Sequence, residues 1–188
     1  MSVGLLLLDI QNDYFPGGKM ELEGSVQAGK IAGRLVQVFR KNRLPVVYIQ
    51  HLSIHPGATF FVPNTFGVEI HAGVKPLDSE PVIQKHYPNS FRETGLLAHL
   101  QQQDIRELVV AGMMTHMCVD ATIRAATDYG FECRIVQDAC ATRSLRLNEQ
   151  VVSAKDVHAA FLAALNGAYG RVMTADAVME DLLKGTER

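Results

Sequence analysis

Three residues in this chain carry side chains that could do covalent chemistry together, and they lie far apart in the sequence. Cys118 ends the segment Gly112-Met113-Met114-Thr115-His116-Met117-Cys118, where an apolar run gives way to a stretch of helical periodicity. Read as the first residue of a helix, a cysteine meets the positive end of the dipole and unpaired backbone N–H groups, which favour the thiolate. The same N–H groups can hold the oxyanion formed when a thiolate adds to a carbonyl carbon. Position alone serves a buried packing cysteine equally well. Asp9 closes the apolar run Val3-Gly4-Leu5-Leu6-Leu7-Leu8, as a cap or turn residue or as a buried acid in need of a partner. Lys85 follows Val82-Ile83-Gln84 and by itself reads as an ordinary solvated lysine. Cys133 and Cys140 have no comparable setting. Spacing along the chain cannot bring positions 9, 85 and 118 together. Only a fold can.

Short apolar runs alternate with longer amphipathic stretches, the pattern of a parallel sheet covered by helices. Strands are expected over residues 3–8, 46–49, 82–83, 107–111, 131–136 and 171–173. Helices are expected over 25–40, 96–102, 118–129, 149–166 and 175–184. The fold class is therefore α/β, a three-layer α/β/α domain with a six-stranded parallel sheet, spanning residues 1–188. In such sheets functional groups gather beyond the carboxyl ends of the strands, where Asp9, Lys85 and Cys118 all fall. Residues 51–80 form a long connection rich in Gly and Pro that carries His51, His55, Phe60, Phe61, Phe66 and His71. That length fits a lid or binding loop, and equally a surface excursion or subunit contact.

Composition excludes several classes. Among 188 residues, Lys plus Arg number 18 against 20 Asp plus Glu, a net charge of -2, so no basic footprint marks nucleic acid or an anionic membrane as a partner. The 3 cysteines have no Cys-x-x-Cys spacing, so neither a disulfide framework nor a zinc cage is expected. A reducing, cytoplasmic setting is the simpler expectation. The apolar N-terminus lacks a basic leader and is interrupted by Asp9, so it reads as a buried strand, not a signal peptide. No other apolar run approaches a membrane span.

Four segments in order give the chain a family resemblance: Leu8-Asp9-Ile10-Gln11-Asn12-Asp13; Lys85 with Phe91 and Thr94; Gly112 to Val119; and Thr122 with Ala125. In these the chain resembles the isochorismatase-like cysteine hydrolases, which include nicotinamidases, N-carbamoylsarcosine amidohydrolases and streptothricin hydrolase. The resemblance implies a sheet of order 3-2-1-4-5-6 and an Asp9–Lys85–Cys118 catalytic triad. It also implies a cis peptide between Met113 and Met114, with the backbone N–H groups of Met114 and Cys118 as the oxyanion hole. The implied reaction is attack by Cys118 on an amide-type C–N bond of a small molecule, through a thioester acyl-enzyme. A homo-oligomer, dimer or tetramer, is implied as well. The pocket candidates are Gln11, Tyr14, Phe15, His51, Phe60, His86, Phe91 and Met117, each of which also has a packing reading.

The chain departs from the family pattern in two places. Similar nicotinamidases carry an Asp-x-His pair after the second strand, with further histidines, to bind a metal; here Ile49 stands in the Asp place, with His51 and His71 remaining. Two histidines without a carboxylate make a poor hard-metal site, so no metal and no cofactor is expected, and a substrate other than nicotinamide. Asn89-Ser90 stands where better-known members have Ser followed by Ala. Two other readings stay in play: isochorismatase-type ether hydrolysis, and a non-catalytic binding protein on the same fold. His116 and His158 read as structural, and Asp138 as a cap.

Overall fold

The seven residues Ser2–Leu8 carry no charge and form the strand β1, whose Leu5, Leu6, Leu7 and Leu8 are buried. Successive side chains of a strand point to opposite faces, so Leu5 and Leu7 enter one apolar cluster while Leu6 and Leu8 enter another. A strand apolar on both faces needs helices on both sides. The computed structural model, which describes residues 2–185, supplies them.

β2 (Val46–His51), β3 (Val82–Lys85), β4 (Ile105–Met113), β5 (Glu132–Ala141) and β8 (Arg171–Met173) join β1 in one parallel sheet. The order is β3-β2-β1-β4-β5-β8, which is 3-2-1-4-5-6 when only the sheet strands are counted. Helices α1 (Ser25–Lys41) and α5 (Ala175–Gly185) cover one face through Ile31, Leu35, Phe39 and Val178. Helices α2 (Leu96–Gln102), α3 (Asp120–Asp128) and α4 (Ala154–Leu165) cover the other through Leu100, Ile123, Ala126 and Leu165. Connections leave β1 toward β2 and arrive at β4 on its other side, so the strand order reverses at the β1–β4 pair. The crevice beyond the carboxyl ends of these two strands is where an open α/β sheet binds ligands.

Several boundaries differ from the sequence reading, three of them in ways that change an element or the site. β5 runs on to Ala141, five residues past its expected end. Its register against β4 jumps from Val110↔Ile135 to Gly112↔Cys140, and this bulge absorbs the polar Gln137 and Asp138 that break the apolar pattern. The expected helix 149–166 starts later. Its first residues belong to an antiparallel hairpin of β6 (Leu145–Leu147) and β7 (Gln150–Val152), turned at Asn148 with φ 53°. Ser153 then caps α4, its Oγ accepting from Asp156 N–H at 3.1 Å. The expected helix from 118 also begins elsewhere, with consequences for the site. No helix among the described residues is long and apolar enough to cross a membrane.

Candidate active site

Gly112 sits in β4 with φ 142°, and a Cβ there would collide with the Leu8 carbonyl oxygen. Only glycine lets the ends of β4 and β1 approach this closely. The Met113–Met114 peptide is cis. Thr115–Val119 then form a wide π-helical turn that continues into α3. Cys118 is therefore the fourth residue of that turn, not the first residue of a helix, and the simple helix-start argument does not apply to it. The turn is braced by its own side chains. Thr115 Oγ1 lies 2.9 Å from His158 Nδ1, and His116 Nδ1 lies 2.6 Å from Thr142 Oγ1.

Asp9 leaves β1 in the left-handed region, φ 51°, with its N–H bonded to Ile49 O at 3.1 Å and its carbonyl accepting from Gln11 N at 3.0 Å. Such a conformation in a non-glycine residue is held by its surroundings. Lys85 ends β3, in register with His51 of β2. Its Nζ lies 2.8 Å from Asp9 Oδ2, 2.9 Å from His51 Nδ1, 3.1 Å from Tyr87 O and 3.2 Å from Cys118 Sγ. Asp9 is 0%, Lys85 1% and Cys118 5% exposed. The fold thus brings together the three residues that the sequence left apart.

Burial at this depth decides the protonation states. It holds the Cys118 thiol well above the usual thiol range; the Asp9 charge adds to this and Lys85 opposes it. This direction runs against the lowering that a helix dipole would give. Burial opposes the Lys85 charge, but Asp9 and Cys118 outweigh it and the group stays an ammonium. Burial and then Lys85 push His51 down to about 4, so its ring is neutral. Neither Asp9 oxygen accepts a well-directed hydrogen bond among the described residues, so the 2.8 Å contact with Lys85 is ionic in character. A buried carboxylate with free lone pairs beside a protonated thiol is equipped to move a proton.

The pocket candidates divide. His51 is at the centre, and Tyr14 is within electrostatic reach of Cys118 and Asp9; burial, followed by the influence of these two groups, raises its phenol well above 10.0. Phe60 lies beside Tyr14, ring centroids 6.1 Å apart, and Met117 is 40% exposed on the turn that carries Cys118. The others do different work. Gln11 is buried and bonds the His51 N–H, the His51 carbonyl and the Val68 carbonyl at 2.8, 2.9 and 2.7 Å, so it is a clamp. Phe15 stacks on His71 at 3.7 Å. Phe91 packs with Tyr129 and Phe131 in the core under α2 and α3. His86 is exposed and donates from Nδ1 to the Leu52 carbonyl at 2.9 Å. Each is committed to packing or to the backbone.

Several positioning residues escaped the sequence reading. Asp13 is buried and accepts from Lys19 N at 3.0 Å and Phe61 N at 2.6 Å, fastening the long loop over the N-terminal turn. Its place in the Gln11-Asn12-Asp13 segment was the available signal. Ser90, at one of the departures from the family pattern, is buried with its Oγ 2.8 Å from Thr122 Oγ1, which ties the segment after Lys85 to α3. Tyr87 contributes only a carbonyl, and no side-chain pattern could reveal that. Asp138, by contrast, reads from the sequence as a cap, and it accepts from Ala175 N at 2.9 Å at the start of α5. A surface hollow of about 440 Å³ between residues 12–19 and 59–67 is not lined by the three central residues.

A metal would need donors that no other cation already holds. Asp9, His51 and Cys118 do offer atoms within 4.8 Å of one another, but all three converge on Lys85 Nζ. The ammonium stands where a cation would. Ile49 is buried and apolar, and His71 is engaged elsewhere, its Nδ1 accepting from Gly73 N at 3.1 Å. The residues do not fit the Asp-x-His metal site of similar nicotinamidases.

A doubly wound sheet with a cysteine, an acid and a lysine at its switch point defines a class of three-layer α/β/α hydrolases. The Isochorismatase domain model matches residues 3–177, and the chain belongs to the isochorismatase family. It is 50% identical over 180 residues to the uncharacterized isochorismatase family protein YddQ of Bacillus subtilis, covering 96% of this chain and 100% of that one. It is 34% identical over 138 residues to a streptothricin hydrolase of Streptomyces noursei, covering 73% of this chain and 49% of the relative. A crystal structure of an Oleispira antarctica protein named for isochorismatase hydrolase superposes with a TM-score of 0.92 at 44% identity, covering 95% and 96% of the two chains. More distant relatives include a nicotinamidase and a maleamate amidohydrolase.

Proposed function

We propose that the protein hydrolyses an amide-type C–N bond of a small molecule, with Cys118 as nucleophile, Asp9 as proton carrier and Lys85 as electrostatic partner. The observation that carries this reading is the Lys85 ammonium held 2.8 Å from Asp9 and 3.2 Å from Cys118 in a site almost closed to water. Asp9 takes the thiol proton as the sulfur attacks the carbonyl carbon, and the adjacent ammonium offsets the charge that appears on sulfur. The tetrahedral oxyanion rests on the N–H groups of Met114 and Cys118; the Met114 N–H makes no bond to protein among the described residues. Protonated Asp9 delivers its proton to the leaving amine, and the thioester forms. The carboxylate then activates water, which releases the acid and restores the thiol.

Relatives named for amide hydrolysis support this choice of bond. The test is a panel of small amides assayed for released ammonia or amine, run beside isochorismate assayed for pyruvate, with mass spectrometry of Cys118 for an acyl adduct. Amine release with an adduct on Cys118 is the expected result. Pyruvate release alone would replace the amidase reading with ether hydrolysis, and inertness toward both would favour a binding protein. We also propose a homo-oligomer in solution. Phe66 is 76% exposed on the long loop and Leu147 71% exposed on the hairpin, and light scattering at the column outlet should report a mass of two or more copies.

A further inference from the structure

His51 is the register partner of Lys85 on the neighbouring strand, and both side chains come off the same face. Its backbone is pinned on two sides by Gln11, whose amide mimics a strand edge: Oε1 accepts the His51 N–H at 2.8 Å and Nε2 donates to its carbonyl at 2.9 Å. The ring therefore has a fixed root. An ammonium has only hydrogens to offer. A ring nitrogen 2.9 Å from Lys85 Nζ must then be the one without hydrogen, and in a neutral imidazole the hydrogen sits on the other. The ring of His86, the residue after Lys85 at the adjacent strand end, shows the opposite state, since its Nδ1 faces the Leu52 carbonyl and must donate.

All but one of the charged or titratable groups facing His51 favour the same neutral state. Lys85 presses from β3, His86 and His55 add cationic character when protonated, and only Asp9 pulls toward an imidazolium. Burial raises the Cys118 thiol, which disfavours an anion beside the ring. The Nε2–H so created has no protein acceptor among the described residues, and His51 is half-buried, not sealed. A ring N–H that no protein group takes up is open to an acceptor on a bound molecule.

We propose that His51 is a specificity-determining donor: Lys85 locks its tautomer, so that Nε2–H serves an acceptor atom of the substrate next to the scissile amide. The preferred substrates are then amides bearing a second carbonyl, carboxylate or ring-nitrogen acceptor near that bond, in preference to simple aliphatic amides. This rests on the amidase reading of the same site. The same lock makes His51 a positioning residue for the ammonium.

Nitrogen NMR of the histidine-labelled protein near pH 7 tests the lock without any substrate. A neutral ring with hydrogen on Nε2 is expected; hydrogen on Nδ1, or an imidazolium, would overturn the proposal. The substrate side is tested on an amide from the ammonia-release panel. His51→Asn can accept from Lys85 through Oδ1 and donate through Nδ2, whereas His51→Leu can do neither. His51→Leu should lose about 10- to 100-fold in kcat/KM, mainly through KM, and His51→Asn should recover most of it. Equal rates for His51→Leu and the parent protein, or a His51→Asn variant as impaired as His51→Leu, would overturn the donor role. Failure of every amide in the panel would sink the amidase reading instead, and the NMR result separates the two failures.

Discussion

At the residue scale, burial opposes charge on the sulfur that we propose as nucleophile. A thiolate at rest would need the ammonium to outweigh both burial and the Asp9 charge, and in this site it does not. Iodoacetamide alkylation of Cys118 should therefore be slow at neutral pH and climb steadily as pH rises, because the thiolate fraction grows only well above the ordinary thiol range. A plateau already reached by pH 7 would show that the sulfur rests as a thiolate. Cys133 and Cys140, pushed up by burial to about 12, give the comparison within the same molecule. Cys118→Ala should drop turnover to background while moving Tm by no more than a few degrees, since the buried change is one small atom. Normal rates in that variant would mean that the nucleophile is another group.

At the element scale, the groups proposed to react depend on contacts that look unrelated to chemistry. Gly112 has both a positive φ and a carbonyl oxygen pressed against the place of its missing Cβ. Gly112→Ala should destabilise the chain by several kcal/mol or stop it folding, because the two central strands would have to part. The long loop after β2 is fastened at its middle by Asp13 and at its end by Glu80. Glu80 takes two bonds from Arg40 of α1 at 2.8 and 2.7 Å. Asp13→Ala leaves the N–H groups of Lys19 and Phe61 without their buried acceptor, at about 1–3 kcal/mol each. The expected outcome is faster limited proteolysis near residues 59–62 with the sheet core still folded, and an unchanged cleavage pattern would count against this fastening role.

At the scale of the whole molecule, acid should weaken the fold. Burial leads the causes that lower His51, His71, His116 and His158 below their ordinary value. Below about pH 6.5 the unfolded chain takes up protons that these folded rings resist, so stability present above that pH is lost as pH falls through it. A urea midpoint lower at pH 5 than at pH 7 is the expected result, and equal midpoints would contradict it. Sequence periodicity was enough to read the layer architecture, because alternation between apolar strand runs and amphipathic helices is a local property. It misplaced the end of β5 and the start of α4, where a bulge and a hairpin obey pairing between distant segments and not the local pattern. Asp9, Lys85 and Cys118 could be picked out as residue types at strand ends, and the motif resemblance grouped them. Gln11 and Phe91 sat in the same motifs, with Phe15 just beyond the first, and turned out to be clamp and packing residues, since a motif does not say which way a side chain faces. By itself the sequence determined which groups were available and that they would gather at the carboxyl edge of a parallel sheet. Only the tertiary structure decided that burial raises the thiol and lowers His51, and that Asp9, His51 and Cys118 all converge on the Lys85 ammonium. Those states follow from burial and from separations of about 3 Å between residues tens of positions apart, and electrostatic energies at such distances depend on where atoms lie, not on their order along the chain.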